Sequence, residues 1–279
     1  AVGKDALRGL TTGSNNVAVG IDALTSCTTG EKNVAVGANA ADGCTTGFRN
    51  TAVGNFCMAN RTITGNENVG VGDNALRELT SGQDNTACGG SSHYLLTTGD
   101  NNSSLGFGAG YGVTSGSNNL CLGHDAGTSS SPSGNISTDS NRICIGDNNI
   151  ATAFIKVSFT VTSDERDKTD IADFTKGLDI VNSLRPVTYK WDMRSNYSDD
   201  LSVSPDGSKK SNRTEIGLIA QDVEAVEKAN GYSTDENNQL FIEKSTDGLH
   251  YGLKYERLVP ILVNAIKELS AKVTALEAG

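Results

Sequence analysis

Glycine recurs at Gly3, Gly20, Gly37, Gly54, Gly72, Gly89, Gly106 and Gly123, a step of 17 residues broken once by 18. A second ladder, Gly13, Gly30, Gly47, Gly65, Gly82, Gly99 and Gly116, keeps the same beat. Between the two runs a unit of the form Asn-x-Ala-Val-Gly-x-x-Ala-Leu-x-x-x-Thr-Thr-Gly. A fixed period of this length makes each repeat one structural rung that buries its apolar side only against its neighbours. The first half of the chain is therefore expected to be a rod of stacked rungs rather than a globular core.

Within a unit, Asn16-Val17-Ala18-Val19, Asn33-Val34-Ala35-Val36 and Asn119-Leu120-Cys121-Leu122 run into the first-ladder glycine. Aliphatic residues at every second place predict a short strand, and the following glycine permits a corner. Asp22-Ala23-Leu24 and Asn74-Ala75-Leu76 are too short for a stable helix and read as a second short strand. Parallel stacking of eight rungs at about 4.8 Å gives a shaft about 40 Å long. With Ala and Val filling a thin interior, a single chain gains little against its ordering entropy, and closure into an oligomer is expected. Asn16, Asn33, Asn50, Asn68, Asn85, Asn102 and Asn119 stand four residues before the glycine, where stacked amides can satisfy backbone groups. The six cysteines all lie in this half. Cys121 and Cys144 take the place that Ala18 and Ala35 hold elsewhere, which predicts buried free thiols. There is no CxxC pair, and His93 and His124 fall at different places in their repeats, so no metal site and no cofactor are expected. Ser129 to Gly134 lengthen the last unit and predict a surface loop.

Near residue 150 the composition changes. Of 32 glycines, 25 precede Asn148, whereas Trp191 and three of four prolines follow it. The organisation expected is a repeat shaft over 1–149, a β connector over 150–163 and an α+β domain over 164–279. Acidic side chains outnumber basic ones on both sides of residue 150, 12 to 7 before and 21 to 16 after, which argues against a nucleic-acid partner. No apolar run approaches the roughly 18 residues of a membrane span, so no membrane insertion is expected. The chain opens in mid-repeat, at Ala1-Val2-Gly3, as expected of the C-terminal piece of a longer protein. Phe154 to Val161 alternate as strands do. Beyond them, Ile171 to Ser183 reads as a helix capped by the polar run before it, Val187 to Asp192 as a strand, Asn196 to Arg213 as a polar loop, Arg213 to Leu218 as a strand and Ala220 to Ala229 as a helix. Tyr255, Val259, Leu262, Ile266, Leu269, Val273 and Leu276 alternate steps of four and three. They predict a heptad seam in a coiled-coil helix over 253–277, with charged flanks.

The Asn-x-Ala-Val-Gly repeats resemble those of bacteriophage tail fibres and, more distantly, the β-roll heads of trimeric autotransporter adhesins. Four further runs resemble the intramolecular chaperone auto-processing domain that ends phage endosialidases, other tailspikes and neck appendages. They are Ser163-Asp164-Glu165-Arg166-x-Lys168-x-Asp170-Ile171, Leu184-Arg185-Pro186-Val187-x-Tyr189-x-Trp191, Ile216-Gly217-Leu218-Ile219-Ala220-Gln221-Asp222-Val223, and Tyr255-x-x-Leu258-Val259-Pro260-x-Leu262-x-x-Ala265-Ile266-x-Glu268-Leu269. In order, they cover residues 163 to 277.

That resemblance implies a parallel β-roll or β-solenoid shaft, trimeric, followed by an α+β chaperone domain that assists its folding and is released by self-cleavage between Ser163 and Asp164. It implies a Ser/Lys dyad, Ser163 and Lys168, acting once as a serine endopeptidase, with Asp164, Glu165 and Arg166 as assisting candidates. Lysine serves as a base only when its pKa is lowered, as burial can do, and five residues of extended chain span roughly 16 Å. The pair therefore meets only if the chain turns or a neighbouring subunit supplies the partner. Ser163 attacking its own carbonyl would close a four-membered ring, so the serine orients water, serves another chain, or is helped by Asp164. Implied partners are two further copies of the chain, upstream phage tail proteins and a host cell-surface receptor, with a glycan as a candidate. The place of action implied is the virion, after assembly in the host cytoplasm. A carbohydrate-degrading tailspike and a bacterial surface adhesin are the competing functions. Neither finds a catalytic carboxylate pair or a membrane anchor in this chain.

Overall fold

The computed structural model describes residues 1–198, 200–232, 239–245 and 248–279. Backbone contacts divide the chain into two compact units, Ala1–Ala151 with Ser198–Leu201, and Thr152–Tyr197 with Ser202–Gly279.

The first unit is a parallel β-solenoid. Three-residue strands β1 (Val17–Val19), β2 (Val34–Val36), β3 (Thr51–Val53), β4 (Val69–Val71), β5 (Thr86–Cys88), β6 (Ser103–Leu105), β7 (Leu120–Leu122) and β8 (Ile143–Ile145) stack in chain order as one sheet. Register follows the repeat, Ala18 opposite Ala35 and Cys121 opposite Cys144. Ala18 is buried, as expected of the place that Cys121 and Cys144 take elsewhere, whereas the flanking Val17 and Val19, expected to help fill the interior, face out. Nor is the interior thin. Leu24, Cys27, Met58, Ile63, Leu76, Leu79 and Leu96, carried by the segments between strands, are fully buried and form one core with the inward alanines. Each Leu, Ile or Met so buried contributes on the order of 1.5–3 kcal/mol.

The segment read as a second strand is a turn. Asp22 and Leu24 both take left-handed φ, 56° and 51°, and Asn74 and Leu76 repeat the pair at 57° and 51°. That conformation costs roughly 1–2 kcal/mol per non-glycine residue. It is offset because it drives Leu24 into the core while its N–H still reaches Ala40 O in the next rung at 3.0 Å. The glycine ladders have a shared cause. At Gly20, φ is +135° and an added Cβ would stand 2.2 Å from Gly37 O. At Gly30 the same close approach, 2.5 Å to Gly47 O, excludes a side chain on distance alone.

Side chains add their own ladders. Buried Asn68 donates from its backbone N–H to Asn50 Oδ1 at 3.0 Å and from Nδ2 to Gly82 O at 2.9 Å. Asn68 Oδ1 in turn accepts from the backbone N–H of Asn85 at 3.0 Å. Thr80 and Thr97 each donate through Oγ1 to the carbonyl of the threonine one rung on, at 2.9 Å. All six cysteines are free, five of them buried and Cys88 exposed on the outward side of β5. Burial pushes the Cys44 and Cys57 thiols up to about 12. The 129–134 loop is not wholly a surface feature, since Ser131 is buried and donates to Gly146 O at 3.0 Å, closing the last rung.

The second unit comprises α1 (Leu178–Ser183), β9 (Val187–Tyr189), β10 (Glu215–Gly217), α2 (Ala220–Ala229), β11 (Ile242–Lys244), β12 (Tyr251–Leu253) and α3 (Leu258–Ala278), the last entered through a 3-10 turn at Tyr255–Arg257. β9 pairs with β10, and β11 with β12, both antiparallel. Ile180, Val223, Phe241, Ile242 and Ile261 form its core. Glu227 is buried and its Oε1 accepts from the backbone N–H groups of Phe241 and Ile242, at 2.7 and 3.0 Å, tying α2 to the start of β11.

Two expectations fail in this unit. The helix expected over Ile171–Ser183 begins only at Leu178, because tertiary contacts hold the preceding chain open. Asn264 on α3 donates to the carbonyls of Phe174 and Lys176, and Glu268 Oε2 accepts from Leu178 N at 3.2 Å. The connector over 150–163 contains no strand. Phe154 to Val161 have no neighbouring strand to complete a ladder, and a lone extended segment gains no ladder hydrogen bonds.

Candidate functional site

Ser163 ends the connector, which bends at Lys156 and Val157, and Asp164 caps a single 3-10 turn, Glu165–Asp167, by accepting from the backbone N–H of Arg166 at 2.9 Å. Lys168 leaves the turn in extended geometry, with its N–H on Glu165 O at 3.1 Å. This turn removes the spacing problem within one chain. Lys168 Nζ doubles back to lie 2.5 Å from Ser163 Oγ and 3.4 Å from Ser163 O. The ammonium side chain thus sits against both the hydroxyl and the carbonyl of the residue whose carboxyl side is the expected cleavage point.

Arg166 locks the other side of the same peptide. Its Nε donates to Asp164 Oδ1 at 3.0 Å and its Nη2 to Oδ2 at 2.6 Å. This side-chain hydrogen bonding, with the backbone bond from Arg166, holds the Asp164 carboxyl below its ordinary value. The bidentate pairing has the geometry that suits a guanidinium and a carboxylate. Glu165 contributes its backbone carbonyl to the turn. Every residue from Ser163 to Asp170 is exposed in the single chain, so the burial expected around the lysine is not supplied by its own fold.

The remaining motif residues build the frame. Arg185, just before β9, donates through Nε and Nη2 to Asp222 Oδ2 on α2, at 3.0 and 2.6 Å. Tyr255 Oη accepts from the Leu218 N–H at 3.0 Å, and Tyr189 and Trp191 meet edge to face with centroids 5.3 Å apart. On α3 the helix divides into two faces. Ile261 and Ala265 are buried, with Asn264 and Glu268 beside them clamping the chain before α1. Val259, Leu262, Ile266, Leu269, Val273 and Leu276, together with Tyr255, are exposed. Apart from Tyr255, whose hydroxyl holds Leu218, the seam residues therefore do not pack on the helix's own domain. Two devices had no signal in the sequence: the Arg166 lock, an ion pair across two residues, and the Asn264–Glu268 clamp, which reaches 90 positions back along the chain.

Among the described residues no group of three or more His, Cys, Asp or Glu side chains is placed to hold a metal ion, and no helix is long and apolar enough to cross a membrane.

Residues 163–232 match the family model described as chaperone of endosialidase, Peptidase_S74. The match is about a quarter of the chain. It opens at Ser163 and includes Lys168, α1, β9, β10 and α2, and it ends ahead of β11, β12 and α3. No curated protein and no solved structure matches the chain. The family is known for self-cleaving chaperone domains. Set behind a parallel β-solenoid, such a domain suggests a shaft of the phage fibre or tailspike type with a C-terminal chaperone.

Proposed function

We propose that the chain is such a shaft with a temporary folding clamp. In this reading the α3 seams of three copies pair as a short coiled coil, hold the solenoids in register while their rungs close, and are then released by one cut between Ser163 and Asp164. The shaft left behind serves virion structure and host attachment, after assembly in the host cytoplasm. A register clamp has a physical purpose here. Rungs that resemble one another can slip by a whole unit at small cost, and fixing one end removes that freedom.

The observation that carries the reading is the contact of Lys168 Nζ with both oxygens of Ser163, 2.5 Å to the hydroxyl and 3.4 Å to the carbonyl. With its amine deprotonated, Lys168 takes the Ser163 hydroxyl proton as that oxygen takes one from a water molecule. The water oxygen adds to the Ser163 carbonyl, the C–N bond to Asp164 breaks, and the lysine returns a proton to the new amine. This route avoids the four-membered ring. Desolvation favours the neutral amine, and since Lys168 is exposed in one chain, burial by neighbouring copies is what makes cleavage wait for assembly.

A denaturing gel of expressed wild type beside Ser163→Ala and Lys168→Ala tests this. Wild type is expected to yield the 116-residue piece 164–279, and both variants to stay whole. Three uncut chains would remove self-cleavage from the reading.

A further inference from the structure

Between the last rung and the Ser163 turn, the chain from Phe154 to Val161 alternates as cleanly as any segment of the molecule. Ile155, Val157, Phe159 and Val161 fall on one side, and Lys156, Ser158 and Thr160 on the other, with Phe154 leading into that polar side. None of this apolar surface is covered. Phe154 is 95% exposed, Phe159 82%, Val161 76% and Val157 72%. Its backbone is equally unused, for among the described residues no backbone hydrogen bond runs to or from residues 152–162. A segment of eight residues, about 26 Å when extended, thus has the pattern of a one-sided strand and no strand beside it.

Both deficits narrow what covers it. A small ligand or a lipid surface would shield the side chains and leave the N–H and C=O groups unpaired in an apolar contact, which is costly. A neighbouring strand satisfies both. The order of elements says whose strand it is. Upstream along the chain, β8 presents Ile143 and Ile145 outward, and downstream α3 presents its seam. The α3 seam is read above as pairing with other copies of this chain, and each such copy brings the same segment with it. Copies related by rotation about an axis that runs along the strand keep the same direction, so equivalent residues lie side by side.

We infer that Phe154–Val161 is a strand completed by other copies of this chain, which pair with it in parallel and in register through the same segment. Side chains Ile155, Val157, Phe159 and Val161 then close on their counterparts, and Lys156, the segment's single charge, stays on the outer side. Val161 stands two residues before Ser163, so this pairing anchors the upstream end of the peptide to be cut. The inference rests on the oligomeric reading proposed above and adds to it the element that joins shaft to clamp.

Site-directed cross-linking separates the two. In a Cys88→Ser background, Ser158→Cys is placed on the polar side of the segment and Lys210→Cys on the exposed loop between β9 and β10, and each protein is treated with a short bis-maleimide while its solution mass is read by light scattering. In-register pairing predicts covalent dimers from Ser158→Cys at tenfold or greater yield over Lys210→Cys, with the number of copies read from the solution mass. Assembled protein whose Ser158→Cys links no better than Lys210→Cys would overturn the strand pairing and leave the oligomer standing. A chain that is monomeric by mass would overturn both.

Discussion

In the solenoid the large aliphatics Leu24, Leu76 and Leu96 are fully buried by a single chain, whereas along α3 Val259, Leu262, Ile266, Leu269, Val273 and Leu276 remain exposed. The difference is one of where each region finds its neighbour. Every rung of the shaft meets a near copy of itself about 4.8 Å away in the same chain, so glycine, asparagine and threonine ladders complete themselves. α3 meets its own domain with one face only, through Ile261 and Ala265, and holds the seam face in reserve. A repeat array is in effect an oligomer threaded on one chain; the C-terminal unit has no such internal copy to cover the seam face of α3. Substitutions in the two regions should therefore fail in different ways.

The largest effect is expected where one methyl group enters a glycine ladder. At Gly37, φ is +137° and an added Cβ would lie 2.4 Å from Gly54 O, a backbone atom that cannot move aside. Gly37→Ala should cost about 4 kcal/mol or more, seen as loss or a large downward shift of the solenoid's thermal transition by circular dichroism. A variant that melts as wild type does would mean that the rungs are not packed so closely.

A middle-sized effect is expected at His93, which occupies the column of Leu24 and Leu76 with both ring nitrogens buried and without hydrogen-bond partners. Gly110 makes room for the ring, since a Cβ there would stand 2.3 Å from His93 Cδ2. Burial lowers the His93 pKa to about 4. The unfolded chain takes up this proton below about pH 6.5 and the folded chain does not until about pH 4, so stability present at neutral pH is lost as pH falls between those values. The loss amounts to about 2 kcal/mol at pH 5. Asp42, whose carboxyl burial raises to about 6, acts in the opposite sense over much of the same range. The clean measurement is therefore the difference between wild type and His93→Leu. The variant's advantage in melting temperature should grow from pH 7 to pH 4.5, and a constant difference would place His93 elsewhere than in the core.

The smallest effect on the lone chain is expected on the α3 seam. Leu262→Asp puts a charge on an exposed surface and should change the stability of the monomeric second unit by less than about 0.5 kcal/mol, while removing association measured by light scattering. A large loss of monomer stability would show that the seam face packs within its own domain after all.

Much of the shaft was legible because repetition multiplies a weak signal. Two glycine ladders and one asparagine ladder fix the register of rungs without any single residue being decisive. The buried place of Ala18 was legible from the cysteines that replace it, but the outward facing of Val17 and Val19 was not, since aliphatic residues on both sides of a strand give no contrast, and the left-handed pair at Asp22 and Leu24 has no glycine to announce it. In the second unit α2 stands over Ala220–Ala229 as its pattern predicts, but the short α1 depends on Asn264 and Glu268, far off in the chain. β11 and β12 went unrecognised because Ile242–Lys244 and Tyr251–Leu253 are three residues each, too brief to show a period. At the candidate site, the motif pointed to Ser163 and Lys168. The turn that brings them together depends on Asp164 capping it and Arg166 holding that cap, a detail of hydrogen bonding rather than of pattern.

The central claim, that assembly licenses one cut at a site built by Ser163 and Lys168, is tested most directly by intact-mass spectrometry of wild type and Leu262→Asp expressed side by side. The account predicts that wild type contains a species beginning at Asp164 and that Leu262→Asp remains the undivided 279-residue chain. Wild type that stays whole, a new terminus at any other residue, or a monomeric variant cut as completely as wild type would contradict it.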